Sequence, residues 1–313
     1  MRMISKRKCK ISHVIALLFA SIVAIAVPSG LHGTNGDSAK NPLPIDPDFK
    51  PREGKYYYNV DFNNVNIGYA TIAIDRDGDF YKVQVNAQSV GMVDSLYRLR
   101  YRGESIMGTD PISPVETKMQ QEVRSKEKDI TIKFQENGQI KAVEKKSENG
   151  STVKFDVRKV QAERFTLDPF SATYLVRGLE WKAGVEKVFD VYPGKYQYEL
   201  RLRCENLVTL DIAGEKRKAW VIIPKVTNLD PEKRAEAMKK KPMNTKIYLS
   251  ADDLKDVLKI EASHALGNFR VLMVRFDPAP VPVKEVSATP KDVDAKSKGI
   301  EMKGKPEASP AGN

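Results

Sequence analysis

From Gly54 onward, apolar and polar residues alternate in short runs separated by turn residues: KYYYNVDF before Asn63–Asn64, VNIGYATIAID before Asp77–Gly78, and DFYKVQVNAQS after it. Period-two alternation puts apolar side chains on one face of a strand, and two-residue Asn or Gly turns join neighbouring runs into hairpins, so the opening reads as an antiparallel meander. In the second run Ile67, Tyr69, Thr71 and Ala73 face one way and Gly68, Ala70, Ile72 and Ile74 the other. Both faces are partly apolar, which would let one of them line a cavity. SLYRLRYRGESIMG, ETKMQQEV, KDITIKFQENG, QIKAVEKKSENG and STVKFDV prolong the sheet, most of them ending in Gly or Asn turn chemistry.

Residues 168–181, DPFSATYLVRGLEW, break this rhythm. Asp168 suits an N-cap and Pro169 the first helical position. Phe170, Thr173, Tyr174, Val176 and Leu179 recur at helical spacing, with Gly178 near the stop. An amphipathic helix between two sets of strands predicts a mainly β fold: a large antiparallel curled sheet or half-open β-barrel with the helix's apolar stripe on its concave face. Strand alternation resumes at Gly184, with turns at Pro193–Gly194 and Ala213–Gly214, and breaks again over residues 228–244. There Asp230–Pro231 starts a short helix in a basic, charged insertion, read as a solvated surface element that could touch an anionic membrane. Residues 245–276 close the domain with a hairpin around Leu266–Gly267–Asn268, and 277–313 are a Pro- and Lys-rich tail expected to be disordered.

Charge and the chain's first segment add a location. Residues 1–30 place Arg2, Lys6, Arg7, Lys8 and Lys10 before the apolar run Val14–Val27, followed by Pro28, Ser29 and Gly30. This is the pattern of a Sec-type signal peptide and predicts a periplasmic or secreted protein; an uncleaved membrane anchor is the competing reading. Residues 31–51 read as a linker that orders little. Cys9 precedes the apolar run, so it is not placed to carry a lipoprotein's lipid, and Cys204, left alone, reads as a buried small hydrophobe. The net charge of +11 falls to a mild excess without the first segment. Basic and acidic residues interleave along the strands, which argues against a nucleic-acid surface.

Candidate chemistry is sparse. Arg98, Arg100 and Arg102 share one face of a strand and could hold an anionic sugar, phosphate or lipid head group, or could pair with acids such as Glu116 and Glu122. Tyr69, Tyr174 and Trp220 stand out among the aromatic residues as ligand-binding candidates, against a plain core role. No metal-ligand spacing, phosphate loop, dinucleotide fingerprint or nucleophile elbow occurs, so no cofactor or metal is expected. Asp75, Asp77 and Asp79 read as hairpin residues, and Asp168, Asp252 and Asp253 are the acids an unrecognised carboxylate pair would draw on.

The order of motifs resembles a known family. Ile67–Gly68–Tyr69–Ala70, the helix with Asp168, Tyr174 and Arg177–Gly178–Leu179, Asp211–Ile212–Ala213–Gly214–Glu215 before Ala219–Trp220–Val221, and Leu249–Ser250–Ala251–Asp252 leading to Lys259–Ile260–Glu261 and Gly267 resemble the exported bacterial DUF3108 proteins across residues 52–276. The resemblance implies an exported antiparallel β-barrel-like domain without an assigned biochemical role. Three functions follow as expectations: a non-enzymatic binding or carrier module for a lipid, glycan or polypeptide, with an apolar groove beside the helix; a structural or assembly partner of envelope proteins; or a hydrolase using a carboxylate pair.

Overall fold

Two-residue turns set the frame. Asn63–Asn64, Asn149–Gly150 and Ala213–Gly214 all take positive φ, the conformation that suits a tight hairpin between twisted strands. The computed structural model describes residues 43, 45–46, 49–238, 243–265 and 267–280, and those up to 279 belong to one compact unit. The expected signal segment, most of the linker, residues 239–242 of the insertion and the tail beyond 280 lie outside the described residues.

The first half is a meander of β1 (Gly54–Phe62), β2 (Val65–Asp77), β3 (Phe80–Ser89), β4 (Leu99–Thr109), β5 (Ile112–Val123), β6 (Lys126–Phe134), β7 (Gln139–Glu148) and β8 (Ser151–Gln161). The second half comprises β9 (Thr166–Leu167), β10 (Glu186–Val191), β11 (Tyr198–Ile212), β12 (Glu215–Asn228), β13 (Asn244–Ser250), β14 (Val257–His264) and β15 (Gly267–Pro278). Every strand lies beside its neighbours in sequence except at one break. β15 returns to pair with β1, while β8 and β9 are the two edges of a single 15-stranded sheet. This is the connectivity of an up-and-down barrel opened between β8 and β9. The sheet is mixed rather than wholly antiparallel: β9 and β10 run parallel, because a helix carries the chain from one to the other.

Among the described residues three helices interrupt the strands: α1 (Gly91–Leu96), α2 (Pro169–Gly178) and α3 (Pro231–Met238). α1 has no buried residue and shows no apolar period in the sequence. α2 begins where expected: the Asp168 carboxylate accepts from the Phe170 amide at 2.8 Å and from the Ser171 amide at 3.4 Å. It is buried on every side, not along one stripe, with only Thr173 partly exposed. Its faces belong to two cores. Phe170 and Tyr174 join the large cluster built from β1–β5 and β11–β15, whereas Ala172, Leu175 and Val176 join a second with Leu167, Trp181, Phe189, Leu200 and Leu202. An open apolar groove along this helix is therefore replaced by packing on both sides. The end of the linker also orders: the Asp46 amide donates to the Gly178 carbonyl at 2.9 Å, and Ile45 and Phe49 lie so close to Gly178 that an added methyl would meet them at 2.5 and 2.8 Å.

The curl is held at its seam by side chains. Tyr192 at the end of β10 packs with Ile130, Ile132, Ile140 and Ala142 of β6 and β7, and Arg158 of β8 donates to the Gly194 carbonyl at 3.0 Å. A sheet of this many strands curls to protect its apolar face.

Candidate functional site

The register set by the hairpins builds the outer face of β15 and β1–β5. Tyr57 lies opposite Thr71 on one side and Arg275 on the other, Thr71 opposite Asn86, Asn86 opposite Arg102, and Arg102 opposite Gln120. A second row runs Asn59, Tyr69, Gln88, Arg100, Glu122. Directly opposed residues share a face, so hydroxyl, amide and guanidinium groups form two adjacent bands. Six strands at about 4.8 Å give the first band a length of about 24 Å. Tyr57, Asn59, Tyr69, Thr71, Val274 and Arg275 line an open depression of about 410 Å³ at its β15 end. The Arg275 guanidinium sits 4.1 Å from the Tyr57 ring centre, and the Tyr69 side chain is 48% exposed.

The three arginines have different surroundings. Arg100 grips both oxygens of Asp94 in α1 at 2.6 and 3.1 Å, and this bond, with a second from Ser89, holds the Asp94 carboxyl down to about 2. Arg98 lies 3.5 Å from Glu122. Arg102 is exposed and meets no acidic side chain within ion-pair distance among the described residues, so its charge faces solvent between Asn86 and Gln120. Glu116 is engaged by Lys118 and Lys133 instead.

Tyr69, Arg100 and Arg102 thus meet on one surface, and Tyr174 and Trp220 do not join them. Tyr174 lies inside, its hydroxyl without a hydrogen-bond partner and its ring 5.9 Å from that of Tyr81; burial raises its pKa well above the tyrosine range. Trp220 is half-buried against the second core.

Of the three acids singled out by sequence, Asp253 is exposed, and Asp168 and Asp252 are occupied. Asp168 is buried, accepts from the Ser171 and Ser105 hydroxyls as well as from the helix amides, and burial raises its carboxyl despite those bonds. Asp252 accepts from Ser250 at 2.7 Å and Arg217 at 2.8 Å; burial pushes its carboxyl up, but these bonds outweigh burial and leave it lowered. Sequence reasoning missed Asp256, wholly buried beside Asp252. It pairs with Arg52, with Arg177 of α2 at 3.4 Å and with Arg217 of β12 at 3.3 Å, and accepts from the Tyr56 hydroxyl at 3.0 Å. Three cations closing on one carboxylate make a clasp between distant parts of the chain, not a carboxylate pair free to act on a substrate. The other missed clusters are Glu144 with Lys128, Lys146 and Arg158, and Asp190 with Arg164 and Gln197.

A known structure shares this architecture. A β-barrel-like protein of the domain of unknown function DUF1849 from Brucella abortus aligns with a TM-score of 0.51 at 10% identity, over 74% of this chain and 100% of its own. A protein described as exported, with a YmcC-like fold, from Bacteroides fragilis aligns with a TM-score of 0.32 at 6% identity over 73% and 98%. The hypothetical lipoprotein YmcC from Escherichia coli does so with 0.26 at 9% over 73% and 86%. No curated protein is similar to the chain in sequence. Residues 57–274, running from the first strand to the last and containing α2, both rows except Arg275, and Asp256 with its partners Arg177 and Arg217, match the model of the proteins of unknown function DUF3108, and the chain belongs to that family.

Proposed function

We propose that this protein is a non-enzymatic binding module of the cell envelope whose outer sheet face holds an extended glycan carrying acidic groups. The observation that carries the reading is the band Arg275, Tyr57, Thr71, Asn86, Arg102, Gln120, with the exposed Tyr69 beside it and the unpaired guanidinium of Arg102 one strand from its β5 end. Sugar hydroxyls exchange hydrogen bonds with amide and hydroxyl side chains, and their C–H faces pack on tyrosine rings. The planar fork of a guanidinium matches a carboxylate. Packing around α2 leaves the interior to the protein's own side chains, which favours a ligand held outside over a carried lipid. The basic and then apolar residues 1–30 support the envelope as the setting.

Isothermal titration calorimetry with polygalacturonate and with neutral dextran tests this. Polygalacturonate is expected to bind and dextran to bind more weakly. Arg102→Ala and Tyr69→Ala are each expected to weaken the acidic polymer about tenfold, about 1.4 kcal/mol. Absence of binding to both polymers, or affinity untouched by either substitution, overturns the reading.

A further inference from the structure

The two edges of the sheet are unlike. β9 has two residues, both buried, whereas β8 has 11, and Ser151–Phe155 are all exposed. Val153, Phe155 and Val157, at alternate positions of β8, are 62%, 64% and 47% exposed. An edge strand offers unpaired N–H and C=O groups as a template for another strand, and protein surfaces seldom leave three large apolar side chains in line on such an edge. The Arg158 bond to Gly194 and the packing of Val160 hold the last third of β8 against the seam, so the open stretch is the first two thirds.

The sequence of that stretch says what fits it. We infer that β8 pairs antiparallel with β8 of a second copy of this chain, on a twofold axis passing through Phe155. In VKFDV, that register sets Phe155 against its own copy, Val153 against Val157, and Lys154 against Asp156, each of the last two pairs occurring twice. Moving the register by one pleat either way opposes like groups. One shift sets Asp156 against Asp156 and Lys154 against Arg158, and the other sets Lys154 against Lys154. Like charges directly opposite destabilise a ladder, and opposite charges and apolar pairs stabilise it, so one register stands out. Within one chain Lys154 reaches Asp156 only at 3.8 Å and keeps a half-exposed side chain, and Arg158 holds one oxygen of the Asp156 carboxylate, which leaves the Lys154 ammonium and the other Asp156 oxygen available across the axis. Twofold symmetry makes the patch its own complement and closes the assembly at two copies. The glycan-binding face lies on β15 and β1–β5, away from β8, so this inference stands independently of that proposal.

Disulfide trapping tests the register. In the full chain with Cys9→Ser, where Cys204 is buried, Phe155→Cys is expected to give a cross-linked dimer under copper phenanthroline, which oxidises the two thiols. Val153→Cys and Val157→Cys chains are expected to cross-link when mixed and not singly, and Asp79→Cys on the far hairpin serves as the background. Sedimentation velocity is expected to show a concentration-dependent dimer whose dissociation constant rises at least about tenfold in Phe155→Lys, with the unfolding midpoint unchanged. A monomer across the soluble range, cross-linking of Phe155→Cys no greater than the Asp79→Cys background, or equal trapping at all three β8 positions overturns it.

Discussion

Asp256 has no exposure, yet Arg52, Arg177, Arg217 and the Tyr56 hydroxyl all converge on it. Removing the carboxylate would leave Arg177, itself buried, without a counter-charge, so Asp256→Asn is expected to cost about 3–5 kcal/mol in urea unfolding. Arg52→Gln, at a side chain 28% exposed, should cost less. A second buried acid carries a pH signature. Burial lifts Asp190 from 3.8 to about 6 against the pull of Arg164. A carboxyl raised in the folded state favours folding fully below 3.8, and that contribution is lost as pH rises through about 6. Asp190→Asn is therefore expected to flatten the dependence of melting temperature on pH across that window, its stability relative to the native chain rising until about pH 6 and level above. Neither acid was legible in the sequence. Asp256 meets Arg52 across 204 residues, and no local pattern announces such a partner, whereas Asp168 was readable because a cap acts on amides two and three residues away.

α2 was legible as a helix from its cap and spacing, but its complete burial was not. Ser171 and Arg177 look like a polar face, but Ser171 donates back to the helix's own cap, Asp168, and another element brings the carbonyls of Leu254 and Lys255 to Arg177. The helix is seated against β4 through one contact that requires glycine: a methyl on Gly103 would fall 2.3 Å from the Phe170 ring. Gly103→Val is expected to lower stability by about 1–3 kcal/mol in chemical denaturation by displacing that ring and tilting α2. Asp168→Ala is expected to cost about 1–2 kcal/mol through the lost cap. α1 escaped notice because six residues that bury nothing leave no apolar period. α3 was readable, since Asp230 accepts from the Glu232 amide at 2.9 Å and Pro231 follows it.

Over the whole molecule, the hairpins were legible one by one, and the strand order follows from joining neighbours. The parallel β9–β10 pair and the position of the seam were not, because each depends on where α2 lodges. The outer bands were half legible: Arg98, Arg100 and Arg102 alternate visibly, but only the register of two successive strand pairs, β2–β3 and β3–β4, brings Tyr69, Asn86 and Arg102 together while Tyr174 stays inside and Trp220 lies against the second core. The return of β15 to β1 joins residues as remote as Asp61 and Arg270, 209 positions apart, at the middle of the sheet and not at its rim. A ribosome releases Asp61 long before Arg270. Hairpins can form as soon as both of their strands are present, but the central ladder has to wait for β15, so completion of the fold is deferred until the whole span from β1 to β15 has been delivered.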